Sequence, residues 1–211
     1  MTPSSPSVAN HHAGHPGFAG VTGLLAGLSM LVRRRATADL AADLTDLTEL
    51  SSDDLVVDVG CGPGTAVRHA ARLGARATGV DPAPVMLTLA RVLTRDRPAV
   101  TWTEGCAESL PLPDASATVV WSLSTIHHWA DVGVGLAEVR RVLTRGGRFL
   151  GVERRVRPGA TGHASHGWTD EQAEVFARDC TSAGFSEVRV ERHRPGGRSV
   201  LTVRAIQGEE S

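Results

Sequence analysis

LVVDVGCGPGT, residues 55–65, joins a short apolar run to a loop that holds three glycines in five positions. The run Leu55–Val59 has the pattern of a strand that is buried on both faces of a parallel sheet. Gly60, Gly62 and Gly64 follow where that strand must turn sharply into a helix. Glycine allows positive φ, and its missing Cβ lets a ligand approach backbone amides. The stretch therefore predicts a strand, a tight ligand-binding turn and a helix.

Strands and helices alternate through most of the remaining sequence. This alternation predicts crossover connections and an α/β fold, a doubly wound and mostly parallel sheet. After the first strand we expect strands at Arg76–Val80, Val100–Thr103, Thr118–Ser122 and Arg148–Glu153, and helices at Ala66–Leu73, Ala83–Thr94, 131–143 and 169–184. Near the end, Glu187–Arg192 and Ser199–Ile206 flank HRPGG, which predicts an antiparallel hairpin.

Composition limits the other possibilities. A chain of 211 residues fits one domain, and its net charge of −1 gives no general attraction to nucleic acid or to a membrane. The three cysteines have no metal-binding spacing, which favours reduced thiols in a cytoplasmic protein. All 22 basic residues are arginine, as in a GC-rich bacterial genome. We expect a monomer or a homodimer.

The first 50 residues are predicted to lie outside the sheet. Residues 1–16 are rich in Pro, Ser and His and are expected to be a disordered tail. Residues 17–50 predict helices packed on the domain, since the apolar segment 17–32 is too short to span a membrane. The catalytic domain would then cover residues 51–207.

An acid after the second strand points to a nucleoside ligand. Asp81 stands 21 residues beyond Gly60, where a carboxylate can accept hydrogen bonds from both ribose hydroxyls. A dinucleotide fingerprint starting at Gly60 would require its third glycine at position 65, which is Thr65. A dinucleotide-binding enzyme that transfers a hydride is therefore less favoured than a protein that binds another nucleoside ligand.

The successive motifs resemble those of class I S-adenosylmethionine-dependent methyltransferases. They are VVDVGCGPGT (56–65), GVDPAPVML (79–87), EGCAESLPLPDASATVVWSLSTIHHW (104–129) and EVRRVLTRGGRFLGVE (138–153). They are similar to the small bacterial branch that includes ubiquinone/menaquinone-type and small-molecule enzymes. The resemblance implies a seven-stranded, Rossmann-like sheet of order 3-2-1-4-5-7-6, with the last strand antiparallel.

The resemblance also implies a binding site for S-adenosyl-L-methionine, whose product is S-adenosyl-L-homocysteine. Asp58 and the loop 60–64 would hold the methionine part, and Asp81 the ribose. The position whose usual Asp accepts from the adenine amino group is Cys106, so neighbouring groups would replace that contact. The implied cofactor-binding residues are Asp58, Gly60, Cys61, Gly62, Gly64, Asp81, Pro82, Met86, Cys106, Ala107, Glu108 and Ser122.

Candidate catalytic residues follow the fourth and fifth strands. His128, His127 and Glu153 fall at the carboxyl-end edge where open α/β sheets bind ligands. A histidine there would take a proton from an acceptor hydroxyl, with His128 slightly favoured. The alternatives are capping or packing histidines, and for Glu153 an ion pair with Arg154 or Arg155.

A metal at this place is left open. Related methyltransferases coordinate magnesium through Glu-x-x-Glu-His, but this chain has Ser124 and His127 in place of the two carboxylates. His163 and His166 would add nitrogen ligands, whereas Mg²⁺ prefers oxygen.

The acceptor is predicted from a short, polar segment. Only 16 residues, RRVRPGATGHASHGWT (154–169), separate the fifth strand from the next helix. The candidate substrate-binding residues are Trp129, Arg154, His163, His166 and Trp168. Aromatic faces beside hydrogen-bonding groups favour a sugar, a glycan or another polar small molecule as the acceptor of O-methylation. N- or C-methylation of another metabolite, or cofactor binding without catalysis, are the alternatives.

Overall fold

The computed structural model describes residues 49–95, 99–194 and 197–208, and these residues contain a seven-stranded sheet. The strands are β1 (Leu55–Val59), β2 (Arg76–Asp81), β3 (Val100–Glu104), β4 (Ala117–Leu123), β5 (Leu143–Arg154), β6 (Phe185–His193) and β7 (Val200–Gln207). Their spatial order is β3-β2-β1-β4-β5-β7-β6, so the predicted order is confirmed. The predicted tail and N-terminal helices fall on residues 1–48, outside the described part.

Neighbouring strands pair in parallel from β3 to β5, and β7 pairs antiparallel with both β5 and β6. The parallel register brings the carboxyl ends of β1, β2, β4 and β5 to one edge of the sheet. Val59 at that edge is paired with Val80 on one side and with Ser122 on the other. The glycine loop, Asp81 and the two histidines 127 and 128 all lie at or directly after these strand ends in the sequence, so the topology brings them to the same edge.

Four α-helices connect the described strands: α1 (Thr65–Arg72), α2 (Pro84–Thr94), α3 (Val132–Val142) and α4 (Asp170–Ser182). The starts of α3 and α4 are fixed by capping side chains. The Asp131 carboxylate accepts from the Val134 amide at the start of α3. Thr169 and Gln172 form a capping box at the start of α4. Two short 3₁₀ turns, Ile126–His128 and Gly162–Ser165, carry His127, His128 and His163.

The core has two layers because consecutive residues of a strand face opposite sides of the sheet. On one side, Val56, Trp121 and Leu150 pack with residues of α1 and α2. On the other side, Val57 and Phe149 pack with residues of α3 and α4. Within the described ranges, no helix is both long and apolar enough to cross a membrane.

Thr118 has a structural role at the start of two neighbouring strands. The Thr118 hydroxyl donates to Asp54 Oδ1 at 2.6 Å and accepts from the Leu55 amide at 2.9 Å. Arg148 also pairs with Asp54, and these contacts hold the pKa of that carboxyl below its ordinary value against the effect of burial. Thr118 therefore ties the start of β4 to the start of β1.

Candidate functional site

The glycine loop folds back on the end of β2 and uses positive φ at all three predicted glycines. Gly60, Gly62 and Gly64 have φ of 76°, 51° and 73°. The amides of Gly60 and Cys61 both donate to the Val80 carbonyl, at 2.8 and 3.0 Å. A Cβ on Gly60 would lie within 2.7 Å of the Thr125 side chain, and one on Gly64 would lie 2.0 Å from the Trp102 ring. Glycine is required here by backbone conformation and by close packing.

Asp81 links this loop to the start of α2. Its carboxylate accepts from the Gly62 amide at 2.8 Å and from the Ala83 amide at 2.9 Å. Burial raises the pKa of Asp81, while the two amides oppose that effect. Each carboxylate oxygen has lone-pair capacity for one more donor. The residue thus stands beside the loop as the sequence predicts, with capacity for ribose hydroxyls.

Asp58 is a second buried carboxylate at the base of the same loop. Desolvation, with a smaller effect of the Asp81 charge, raises the pKa of Asp58 to about 7. Its Oδ1 atom is buried and has no hydrogen-bond partner. A buried oxygen without a partner is costly unless a ligand satisfies it. A cationic donor such as an ammonium group suits this position.

The thiol of Cys61 lies in the same environment. Burial raises the pKa of Cys61, and the charges of Asp58 and Asp81 raise it further. Its Sγ contacts the Gly62 carbonyl at 3.6 Å. Cys61 therefore stays a protonated thiol that packs under the loop. Cys61, Cys106 and Cys180 are all free thiols.

The region predicted to hold adenine is mixed in character. Met86 and Ala107 are buried, whereas Pro82 and Cys106 are exposed. Glu108 makes two hydrogen bonds through the same oxygen: Oε1 accepts from the amides of Ala130 and Asp131 at 2.6 and 3.2 Å. The Glu108 carboxylate thus holds the segment that enters α3.

Ser122 lies near the end of β4, where it is paired with Val59 at the end of β1. It is fully buried, and its hydroxyl is 2.7 Å from the Thr125 hydroxyl. Thr125 in turn donates to the Val59 carbonyl at 3.0 Å. Sequence reasoning missed Thr125, although its place directly after β4 could have indicated it. Together these hydroxyls fix the turn that leads into the histidines.

His127 is held by a buried carboxylate from the next strand. Its Nδ1 lies 2.9 and 3.0 Å from the two carboxylate oxygens of Glu153, and its amide also donates to Oε1 at 3.3 Å. Glu153 is fully buried. The other ring nitrogen, Nε2, is buried and has no hydrogen-bond partner. With the Nδ1 proton directed at Glu153, the lone pair of Nε2 is available to accept a proton or a metal.

His128 and His166 lie beside His127, and both are exposed. The ring centroids of His127 and His128 are 3.9 Å apart, and the His166 ring is 5.4 Å from His127 and 5.7 Å from His128. Arg154, a predicted substrate-binding residue, donates from Nε and Nη2 to the His166 carbonyl at 3.1 and 2.9 Å. Arg154 thus positions the segment that carries His166.

The two tryptophans differ in exposure. Trp168 is 2% exposed, and its ring centroid lies 4.7 Å from that of Phe176 in the core. Trp129 is half-buried and packs over Gly135. The ring of Trp129 is therefore the one with surface left for an acceptor. His163 belongs to the 3₁₀ turn Gly162–Ser165, and its side chain lies outside the described part.

The sequence places His127, His128 and Glu153 at one edge of the sheet but does not predict how they pair. Glu153 was expected either at the catalytic edge or in an ion pair with a neighbouring arginine, and the structure pairs it with His127. The sequence could have indicated this pair through the predicted order of the strands, in which β4 and β5 are neighbours, because residues at the ends of adjacent parallel strands are close in space. Ser124, with φ of 58°, is a further missed feature, since it directs the chain into the 3₁₀ turn of the histidines.

Comparison with known proteins identifies the domain. Residues 57–151, just under half of the chain, match the family model described as "Methyltransferase domain". The resemblance predicted from the motifs is therefore confirmed for this segment, which is similar to class I methyltransferase domains, those of ubiquinone/menaquinone-type enzymes included.

Two curated relatives and one solved structure illustrate the match. A ubiquinone/menaquinone biosynthesis C-methyltransferase of Rubrivivax gelatinosus is 37% identical over 98 residues, 46% of this chain and 38% of that protein. A malonyl-[acyl-carrier protein] O-methyltransferase of Erwinia billingiae is 35% identical over 95 residues, 45% of this chain and 37% of that protein. The chain thus spans less than half the length of these relatives. The Haemonchus contortus phosphoethanolamine N-methyltransferase 2, solved with S-adenosyl-L-methionine, has a similar fold, with a TM-score of 0.67 at 19% identity over 81% of this chain and 52% of that one.

Proposed function

We propose that this protein is an S-adenosylmethionine-dependent methyltransferase that methylates a hydroxyl group of a polar small molecule or glycan. The observation that carries the proposal is the pair formed by His127 and the buried Glu153, at the sheet edge that also carries the glycine loop. A histidine held in this way has one tautomer and one accepting nitrogen, which is the arrangement that general-base catalysis requires.

Cofactor binding is supported by the family match and by groups that lack partners. The domain match and the cofactor in the Haemonchus contortus enzyme favour S-adenosyl-L-methionine. Its ammonium would satisfy the unpaired Oδ1 of Asp58, and its ribose hydroxyls would donate to Asp81. Gly60 and Gly64 hold the loop in this conformation, because the Thr125 and Trp102 side chains occupy the space that a Cβ would take. The bound cofactor supplies an activated methyl group on a sulfonium.

The residues of the chain would then orient the acceptor and remove its proton. Glu153 accepts the Nδ1 proton of His127, so the Nε2 lone pair takes the proton of the acceptor hydroxyl as the new bond to the methyl group forms. The side chain of His127 is 17% exposed, and the exposed His128 lies next to it. Access to the buried Nε2 would require the neighbouring His128 and His166 side chains to move when the acceptor binds. This assigns the base to His127, whereas the sequence alone slightly favours His128.

The acceptor class is inferred from the rim of the site. Arg154, His128 and His166 are exposed polar groups, and the half-buried Trp129, which directly follows His128 in the sequence, offers an apolar ring. Aromatic rings with neighbouring hydrogen-bonding groups suit sugars and other polyhydroxylated molecules. The short connection of residues 154–169 favours a small acceptor or the exposed end of a glycan over a long acyl chain.

C-methylation of an activated ring is a second candidate. The Rubrivivax gelatinosus relative is a C-methyltransferase, and a ring hydroxyl that loses its proton to His127 would make the adjacent carbon nucleophilic. The product distinguishes the two outcomes, because an O-methyl ether retains no free hydroxyl at the modified position.

The test is a methyl-transfer screen with the full chain. The protein is incubated with isotopically labelled S-adenosyl-L-methionine and pools of polyhydroxylated metabolites, oligosaccharides and quinol precursors. Labelled product and S-adenosyl-L-homocysteine are then measured by mass spectrometry. We expect label on a hydroxyl oxygen of a polar acceptor. Binding of S-adenosyl-L-homocysteine without turnover on any pool would instead favour a cofactor-binding protein that does not catalyse.

A further inference from the structure

Three histidine side chains converge at the edge of the sheet next to the fourth strand. One ring nitrogen from each of His127, His128 and His166 lies within 4.8 Å of the others. The residues come from two separate segments, since His127 and His128 share one 3₁₀ turn and His166 follows another. Imidazole is the commonest metal ligand among protein side chains. A cluster of three such nitrogens therefore raises the question of a metal.

The contacts of His127 match those of a metal ligand. A ligating histidine almost always donates its second ring N–H to a carboxylate or a carbonyl, which fixes the tautomer. Here Nδ1 lies 2.9 Å from the fully buried Glu153, and Nε2 is buried with no hydrogen-bond partner. The buried nitrogen thus belongs to a ring whose orientation is already set.

The third histidine is held in place by backbone contacts. Arg154 donates twice to the His166 carbonyl, and the Trp168 amide donates to the Arg154 carbonyl at 2.9 Å. Nitrogen ligands of a tetrahedral site lie about 3.3 Å apart, given metal–nitrogen distances of about 2.0 Å. A bound metal would have to draw the three nitrogens, now within 4.8 Å of one another, to that separation through changes in the exposed His128 and His166 side chains.

We infer that His127, His128 and His166 form a site for a divalent transition metal such as Zn²⁺ or Co²⁺, with Glu153 as the carboxylate that orients His127. Three imidazoles suit these metals, whereas Mg²⁺ requires oxygen ligands that the cluster does not supply. Three protein ligands leave a fourth position open to a small molecule. The inference concerns the histidines of the proposed active site, but it does not require methyl transfer. Since a metal on Nε2 takes the lone pair that accepts the proton, the metal-bound form cannot use His127 as the base.

The test measures metal binding on the full chain without cofactor or acceptor. His11, His12 and His15 are first replaced by alanine, so that metal bound by this cluster of histidines near the start of the chain would not be counted. Equilibrium dialysis against Zn²⁺, and the visible absorption of Co²⁺, then report stoichiometry and coordination. We expect one equivalent to bind, with the intense visible bands of tetrahedral Co²⁺.

Variants identify the ligands. We expect His166→Ala, at an exposed position, to weaken binding at least about tenfold, and Glu153→Gln to weaken it by about ten- to a hundredfold while retaining all three imidazoles. His193→Ala is the matched control, because His193 also pairs with a carboxylate, Glu191 at 3.2 Å, but is not one of the three clustered histidines. Its binding is expected to equal that of the parent.

Two results would overturn the metal site: no binding by the parent, or equal binding by the parent and by His166→Ala and His127→Ala. An active methyltransferase that binds no metal rejects this inference alone. A protein that binds metal as expected but transfers no methyl group rejects the proposed function and supports the metal site.

Discussion

The glycine-loop half of the site (residues 58–64 and 81–83) and the histidine half (residues 122–128, 153–154 and 166) share one sheet edge but are built differently. In the glycine-loop half, backbone amides of Gly60, Cys61 and Gly62 set the geometry through bonds to β2. In the histidine half, the bonds from His127 to Glu153 and from Arg154 to the carbonyl of His166 set it. One half depends on hydrogen bonds of the backbone amides, and the other on hydrogen bonds made by side chains.

This difference explains why the geometry of one half is more easily predicted from the sequence than that of the other. A backbone path is encoded by local residue types, so the loop motif predicts its own geometry. Side-chain pairs across strands can be exchanged for other pairs without changing the fold, so they are less easily read from the local sequence. We therefore expect changes in the histidine half to alter chemistry, and changes in the glycine-loop half to alter cofactor affinity.

The largest expected effect separates the halves directly. His127→Ala removes the proposed base, and the loss of a positioned base typically lowers kcat by about 10²–10⁴. The affinity for S-adenosyl-L-homocysteine, measured by calorimetry, is expected to stay unchanged because the cofactor residues lie in the other half. His193→Ala serves as the control for loss of a carboxylate-paired histidine elsewhere. A larger effect of His128→Ala than of His127→Ala would assign the base to His128 instead.

The second-largest expected effect is a loss of cofactor affinity caused by a change in the glycine-loop half. Asp81→Asn keeps the shape of the side chain but replaces one accepting oxygen with an amide that can only donate. Hydrogen bonds to a charged group contribute about 1.5–3 kcal/mol, so we expect S-adenosyl-L-homocysteine to bind at least about tenfold more weakly. Asp53→Asn, an exposed acid before β1, is the control. Undiminished affinity in Asp81→Asn, with an unchanged melting temperature, would rule out the ribose role.

The extent to which the sequence predicts each half follows from the same physics. The order of the seven strands and the antiparallel β7 were predicted through the family resemblance, and the glycine turn from its local residues. The partner of Glu153 was not predicted, since it depends on which of several nearby side chains meets the carboxylate. The burial of Trp168, a candidate substrate-binding residue in the sequence, was not predicted either, because a tryptophan in a short connection can serve a core or a binding surface.

A smaller effect tests the electrostatics under the glycine loop. Because burial raises the pKa of Asp58 from 3.8 to about 7, the folded protein keeps a proton there that the unfolded chain releases above about pH 4. The free energy of unfolding of the cofactor-free protein therefore falls as pH rises from about 4 to 7, by at most about 1.4 kcal/mol per pH unit from this group, and levels off above. We expect urea unfolding of Asp58→Asn to show a flatter dependence across this range.

The result for Asp58→Asn is judged by comparing two slopes of the free energy of unfolding against pH, that of the variant and that of the parent. Asp81 is also buried with a raised pKa, so part of the fall remains in the variant. Slopes that are equal in the parent and in Asp58→Asn between pH 5 and 7 would mean that Asp58 is already ionised in the folded protein. Its unpaired oxygen would then carry a full charge even without a cationic ligand.

The smallest expected effect lies at Cys106, where the family's adenine-binding Asp is absent. The Cys106 thiol is exposed and is a weak acceptor, so Cys106→Ala is expected to change S-adenosyl-L-homocysteine affinity by less than about twofold. Cys106→Asp would restore an acceptor for the adenine amino group, and one hydrogen bond contributes about 0.5–1.5 kcal/mol net, so we expect about two- to tenfold tighter binding. Ser109→Asp adds the same charge at the residue bridged to Cys106 and controls for charge alone. An equal gain from Ser109→Asp would show that the effect is a general one of charge, whereas a tenfold loss in Cys106→Ala would mean that the thiol itself recognises adenine.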